Sequence, residues 1–452
     1  MKAGKVHIVS LGCPKNLVDS EVMAAILNKS GYSLSPRAEE ADIIIVNTCA
    51  FILPAKEESI DEIFRMAQWK KKGQGVCTCL VVTGCLPQRY GKTLDKEIPE
   101  VDLFLGVSEV PNIASHLDLL RLNKPATQRS VIGKPFFLMN AENPRLIATP
   151  PFTAYLKIAE GCSNRCSYCV IPAIRGKARS RELNDLMVEA QTLATGGVKE
   201  IIITAQDTTA YGRDLPGKPG KPTLSDLMKG LASIEEIHWI RLLYTYPSAL
   251  TDDILRTIAT EEKVCPYIDI PIQHSDDHIL KAMKRRGGSA LIRKTIDRAR
   301  QIIPDVALRT SIIVGFPGET QARFNRLMAF IKEMRFDHLG AFTYSREEGT
   351  EAASIPSRLS KREKEDRRRL LMEEQAVISY EINQLLIGST QEVLIEGKSD
   401  RPDYPHVGRC RRQAPDIDGI TYLKGENLKS GAFVQCRITS ATEYDLFGEK
   451  VE

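Results

Sequence analysis

Along the first hundred residues, continuous apolar runs alternate with stretches whose apolar side chains recur every three to four positions. The runs predict strands over 5–11, 42–48 and 79–83, and the spaced patterns predict helices over 16–29, 55–69 and 86–95. Buried runs that each lead into a helix are the sequence form of a parallel, doubly wound sheet. The rhythm resumes with strands over 155–160, 200–204, 239–244, 267–270, 307–314 and 338–343, each followed by a helical pattern. Six such units suit a partial, open (β/α)6 barrel rather than a closed one of eight. Charges of alternating sign from Lys361 then open a pattern running to about 386, the form of a solvated helix face. Past 388 the period shortens, with alternations over 391–396, 407–410, 420–423, 432–440 and 445–448 between glycine turns. That predicts a small antiparallel β-barrel. The chain reads as α/β, with domains at 1–125, 148–359 and 388–452 and a helical linker at 360–387.

The cysteines change this picture from architecture to chemistry. The segment Cys162-Ser-Asn-Arg-Cys166-Ser-Tyr-Cys169 follows directly on a predicted strand. Three thiolates this close can hold one metal cluster, and three is one short of the set a cubane iron–sulfur cluster normally takes. One iron is then open to a small molecule. A zinc site would need a further ligand pair, and none follows at short range. A second trio is spread over the first domain. Cys13, Cys49 and Cys85 are separated by 36 and 36 positions, and each lies at the carboxyl end of its predicted strand. In open parallel sheets ligands bind at that end. Neighbouring strands are about 5 Å apart, so the three can converge on one cluster. Helices starting there would aim amide groups at an anionic group. Cys79 opens its strand, about 20 Å from Cys85, and so belongs to no such site. Cys265 precedes a strand and is assigned to packing.

Composition excludes several classes. A net charge of +4, with 42% hydrophobic and 27% charged residues, gives no strong pull toward nucleic acid. No apolar run approaches the roughly 18 residues of a membrane helix, so no membrane partner is expected. Eleven cysteines without an export signal at the start point to a reducing, cytoplasmic setting with thiols kept for metal.

The C-x3-C-x2-C segment, with an aromatic residue before its last cysteine, resembles the signature of the radical S-adenosylmethionine (radical-SAM) enzymes. With the trio Cys13, Cys49 and Cys85 and the terminal barrel, the chain resembles the methylthiotransferase family over nearly its whole length. The resemblance implies two 4Fe-4S clusters, one on each trio, with S-adenosylmethionine on the open iron of Cys162, Cys166 and Cys169. The second cluster would carry sulfide or persulfide. It implies methyl transfer to that sulfur from one cofactor molecule and reductive cleavage of another, so that a substrate carbon radical collects the methylthio group. The cofactor supplies this chemistry and the protein supplies placement. Cofactor-binding positions implied are Tyr168 against the adenine, Gln206 and Asp207 after the second strand, Gln273 after the fourth, and the turn Gly315, Phe316, Gly318 and Glu319 after the fifth. Glu319 also suits a helix-entry turn, and His274 a structural role. The last domain resembles an OB-like TRAM barrel.

Two substrate classes fit the family: an adenosine beside the tRNA anticodon, and the β-carbon of an aspartate in the small-subunit ribosomal protein S-twelve. Three features favour the protein. The first cysteine lies in Gly-Cys-Pro-Lys-Asn, where the tRNA enzymes carry Gly-Cys-Gln-Met-Asn. The barrel contains Gln413-Ala-Pro-Asp-Ile-Asp-Gly419, similar to a segment of the protein-modifying group. From 386 to 452 there are nine Lys and Arg against eleven Asp and Glu, a net of −2. A phosphate-binding surface should be basic, whereas an acidic barrel suits a basic protein partner. Direct RNA binding stays open through a local patch at Arg409, Arg411 and Arg412. An electron donor such as ferredoxin or flavodoxin is implied as a further partner. A two-cluster electron carrier is the non-enzyme alternative, but it predicts four ligands per cluster.

Overall fold

The computed structural model describes residues 4–71, 73–121, 129–216 and 220–451. The expected boundary at 125 lies outside them. The first domain holds strands β1 (Lys5–Ser10), β2 (Ser33–Leu34), β3 (Ile43–Thr48), β4 (Cys79–Gly84), β5 (Leu103–Leu105) and β6 (Ser130–Val131). They pair in parallel in the order β2-β1-β3-β4-β5-β6, stepping outward on both sides of β1 as in a doubly wound sheet. Every residue of β3 and β4 is buried, which is why both read as unbroken apolar runs. The two- and three-residue strands β2, β5 and β6 are too short to leave a periodic signal. Helices α1 (Pro14–Lys29), α2 (Leu53–Ala67) and α3 (Cys85–Glu97) follow the three long strands.

The central domain contains β7 (Thr153–Lys157), β8 (Ala159–Glu160), β9 (Arg179–Ser180), β10 (Glu200–Thr204), β11 (Trp239–Leu242), β12 (Val264–Asp269), β13 (Ala307–Val314) and β14 (His338–Thr343). Six of these form the open parallel sheet β7-β10-β11-β12-β13-β14. The strand expected over 155–160 is divided. Its first part stays in the sheet, and β8 leaves it to pair antiparallel with β9.

The last domain is a closed barrel of β15 (Thr390–Lys398), β16 (His406–Cys410), β17 (Thr421–Lys424), β18 (Phe433–Ala441) and β19 (Leu446–Lys450). It corrects the antiparallel expectation at one seam, where β17 and β19 run parallel to close the ring. The helix Lys361–Gln384 before it begins with a Ser360–Glu363 capping box. One stripe of that helix, with Leu371 and Ile378, is buried against the central core, so only part of it is solvated.

The barrel seats on the amino ends of the central strands. Arg411 donates to the carbonyls of Glu262 and Val264, and Arg412 to that of Asp305. Arg409 is 1% exposed and pairs with the fully buried Glu200. The segment 413–419 enters the sheet's concave side, where Asp418 accepts from the Tyr267 hydroxyl at 2.7 Å. The three arginines of the suspected basic patch are therefore spent on a joint between domains. The first domain covers the opposite, carboxyl ends. There Arg145 bridges Glu21 and Glu189, and Lys56 and Arg89 converge on Glu347.

Candidate functional site: two cysteine trios face each other

In the first domain, the carboxyl ends of β1, β3 and β4 are fastened together by buried amides. Asn16 donates to the carbonyls of Leu11 and Thr48 at 3.1 and 2.9 Å, and Asn47 to the carbonyl of Asn16 at 2.8 Å. The Thr48 hydroxyl donates to the Thr83 carbonyl at 2.6 Å. Cys13, Cys49 and Cys85 leave from this clamp. Gly12 has φ +90, and a Cβ there would lie 2.7 Å from the Cys49 Cβ. Gly84 has φ +96, and a Cβ would fall 2.4 Å from the Asn47 amide oxygen. Both positions need glycine for conformation and for space. Burial, with the thiols of Cys85 and Cys13 nearby, pushes the Cys49 thiol up to about 12. Burial also raises the Cys85 thiol, which Arg175 opposes from 3.5 Å. Thiols so desolvated ionise only for a cation, which is what an iron cluster offers.

The second trio sits on a loop closed by β8 and β9. Gly161, with φ +79, lies so close to the Lys177 carbonyl that a Cβ would approach it to 2.3 Å. The Cys162 amide donates to Gly176 and the Cys169 amide to Cys166. Asn164 ties the loop to Asp207 at 2.7 Å, and Ser167 ties it to the carbonyls of Ala282 and Met283. Burial raises the Cys169 thiol to about 12, with Cys166 and Cys162 adding to it. The buried Arg285 guanidinium contacts Cys166 and stacks 4.1 Å over Tyr246. Among the described residues no three His, Cys, Asp or Glu close on a single ion. A four-iron cube bonds each thiolate to a different iron and spaces its ligands more widely.

A buried charge network joins the trios. Arg175 ends the short helix Ile171–Arg175 that follows Cys169. It contacts Cys85, Asn16, Asp19 at 2.8 Å and Glu160 at 3.1 Å. Lys157 completes the set on Asp19 and Glu160. Burial would raise the Glu160 carboxyl, but Arg175 and Lys157 outweigh it and hold it down to about 2. Glu160 also accepts from the Gln206 amide at 2.7 Å. The Gln206 carbonyl oxygen is buried with no donor among the described residues, which suits an ammonium or amide group of a bound molecule.

The other expected cofactor positions are distributed as follows. Tyr168 packs beside Ile279, Met283 and Phe316. Phe316 is itself fully buried, edge-on to Tyr344. Asp207 is engaged by Asn164 and Thr209. Gln273, with φ +70, bridges to Ile312 through its backbone. Gly315 and Gly318 both have positive φ. Glu319 accepts from the Gly315 amide at 3.0 Å and pairs with Arg367 and His274 inside the protein. Cys79 lies at the amino end of β4, away from the trio, and Cys265 is buried beside Arg241. The sequence reading finds no role in the site for Lys15 and Asn16, which it marks only as part of a motif, nor for Asp19, Arg175 and Arg285. The signal for the first three was polar residues at 15, 16 and 19, on a helix starting at a cluster cysteine, all of them buried.

The described geometry has close counterparts. Residues 5–106 match uncharacterized protein family UPF0004, residues 156–331 the radical SAM superfamily, and residues 387–451 the TRAM domain. The chain is 63% identical to the ribosomal protein uS12 methylthiotransferase RimO of Syntrophus aciditrophicus, covering 100% of this chain and 99% of that one. It is 50% identical to the RimO of Citrifermentans bemidjiense, covering 99% and 98%. Among solved structures, the radical S-adenosylmethionine methyltransferase TsrM of Kitasatospora setae aligns over 88% of this chain and 78% of its own, with a TM-score of 0.55. At 12% identity that likeness is one of fold.

Proposed function

The chain belongs to the RimO family of ribosomal protein uS12 methylthiotransferases, and on that premise we propose that it adds a methylthio group to the β-carbon of an aspartate in uS12. The observation that carries this is the pair of cysteine trios at facing carboxyl ends, each one ligand short of a complete cluster. When bound, a cluster with S-adenosylmethionine on Cys162, Cys166 and Cys169 supplies the radical chemistry, and a second on Cys13, Cys49 and Cys85 supplies sulfur as sulfide or persulfide.

The protein's own residues do the placing. The unpartnered Gln206 oxygen suits the cofactor's ammonium group. Tyr168 lines the adenine side, and the backbones of Gln273, Gly315 and Gly318 allow close approach, with Phe316 and Glu319 bracing that turn from within. Asp207 acts through Asn164, fixing the cysteine loop. Arg175 and Arg285 set a cation beside one thiol of each trio, which offsets cluster charge. Arg145, Lys56 and Arg89 hold the first domain over the chamber and keep water from a reactive radical. A ferredoxin or flavodoxin would deliver the electron. A uS12 substrate places the reaction in the cytoplasm.

Two observations favour protein over tRNA as substrate: the full-length relatives carry the uS12 name, and Arg409, Arg411 and Arg412 are occupied within the fold. The test is mass spectrometry on uS12 and tRNA after anaerobic incubation with S-adenosylmethionine, sulfide and reductant. A methylthio gain on uS12 is expected; a gain on tRNA alone overturns the substrate. Cys166→Ala should abolish cofactor cleavage, while Cys49→Ala should keep cleavage and lose product. Cleavage surviving Cys166→Ala refutes the assignment of that trio.

A further inference from the structure

Lys15 is the second residue of α1, two positions after Cys13, and is 7% exposed. Its ammonium lies 3.5 Å from the centre of the Tyr244 ring. An ammonium has three donors and is costly to bury without a carboxylate. Among the described residues no carboxylate or backbone carbonyl takes a hydrogen bond from it. Its favourable neighbours are Tyr244, which also takes a side-chain hydrogen bond from it, and Cys13, while Arg175 is a like charge.

The surrounding acids are already matched. Asp19 and Glu160 are shared by Lys157 and Arg175, Glu21 is taken by Arg145, and Asp269 by Arg309. Lys15 is therefore a buried cation whose carboxylate partner the fold does not supply. Its platform is held in an unusual shape. Tyr244 has φ +59, a left-handed conformation that aromatic residues rarely adopt. Two neighbours pin it there. Its amide donates to Asp269 at 3.0 Å, and its carbonyl accepts from the Thr208 amide at 3.0 Å. Backbone strain so fixed marks a place where a side chain must be presented in one direction.

Lys15 also stands at the carboxyl end of β11, over Tyr244, and beside the trio that includes Cys13. Resting on the proposed uS12 reaction, we propose that Lys15 is the binding site for the side-chain carboxylate of the target aspartate. In aspartate the β-carbon is bonded directly to that carboxyl carbon. An ion pair at Lys15 thus fixes the reacting carbon within one bond of the anchor, next to the Cys13 trio. Longer acids place a different carbon there, and a nucleobase brings no carboxylate.

The test compares dissociation constants of the reconstituted holoenzyme for uS12 and for uS12 carrying Asn at the modified position. The wild type should bind the aspartate form about 10- to 100-fold more tightly, the range of a charged hydrogen bond. Lys15→Met should bind both forms alike, with iron content and cluster spectrum unchanged, and Lys15→Arg should restore part of the preference. Preference retained in Lys15→Met overturns the proposal. So does loss of the Cys13, Cys49, Cys85 cluster spectrum with the preference intact, which makes Lys15 a counter-charge to that cluster alone. If the uS12 reaction itself is wrong, the wild type gives no methylthio product on uS12 at all.

Discussion

Glu200 is a fully buried point at which the barrel is fastened to the catalytic domain, and its charge is predicted to matter more than the arginine that reaches it. The side chains of Glu200, Arg241 and Arg409 are 0%, 0% and 1% exposed. One carboxylate serves two guanidinium groups, at 3.0 Å to Arg241 and 2.5 Å to Arg409. Glu200→Gln keeps the shape but leaves two buried cations facing a neutral amide. Removing one member of a buried ion pair typically costs about 3–5 kcal/mol. Arg409→Met removes the barrel's contacts with Glu200, Glu396 and the Gln413 carbonyl, but leaves Glu200 and Arg241 balanced. Its cost is therefore about 1–3 kcal/mol, that of lost hydrogen bonds. The double variant has one buried cation fewer than Glu200→Gln, so it should be the more stable of the two. In a chain of several domains a global unfolding energy is ill defined, and hydrogen exchange of β15 and β16 amides is the suitable assay. Glu200→Gln should lower their protection by about two to three and a half orders of magnitude, and Arg409→Met by one to two. A double variant that is worse than Glu200→Gln refutes the charge argument.

Acid should act through the same carboxylate. Burial would raise Glu200, but Arg409 and Arg241 outweigh it and bring it from 4.5 down to about 2. Its contribution is complete above about pH 4.5 and is lost as pH falls toward 2, roughly 3 kcal/mol in all. Barrel protection in the wild type should fall across that window and that of Glu200→Gln should not. At the first trio, Gly84→Ala places a Cβ 2.4 Å from the Asn47 amide oxygen and 2.7 Å from the Thr48 carbonyl, in a backbone shape suited to glycine. It should displace Cys85, removing one cluster's worth of iron and all methylthio product while cofactor cleavage persists. Full iron content in that variant counts against the trio.

Much of this architecture could be read from the chain because its long strands are buried on both sides. The continuous runs at 42–48, 79–83 and 200–204 set the cysteines and Gln206 at strand ends, close to the strands the fold forms. What stayed hidden depends on contacts between distant segments. Arg175 reaches Cys85 across ninety positions, and Arg409 reaches Glu200 across more than two hundred. No local pattern separates such residues from surface charge, so a charge count of the barrel left its arginines available for RNA. The parallel β17–β19 seam escaped for a related reason: alternation reports which residues face inward, not which strand lies alongside.

The seating of the barrel also decides how traffic reaches the reaction chamber. With Asp418 bonded to Tyr267 and Arg409, Arg411 and Arg412 spent on the joint, the barrel takes up the amino ends of the central strands. Substrate is then left the carboxyl ends, the side on which both cysteine trios lie. Arrival of one uS12 and departure of the last then use the same side of the sheet, so substrate binding and product release compete there.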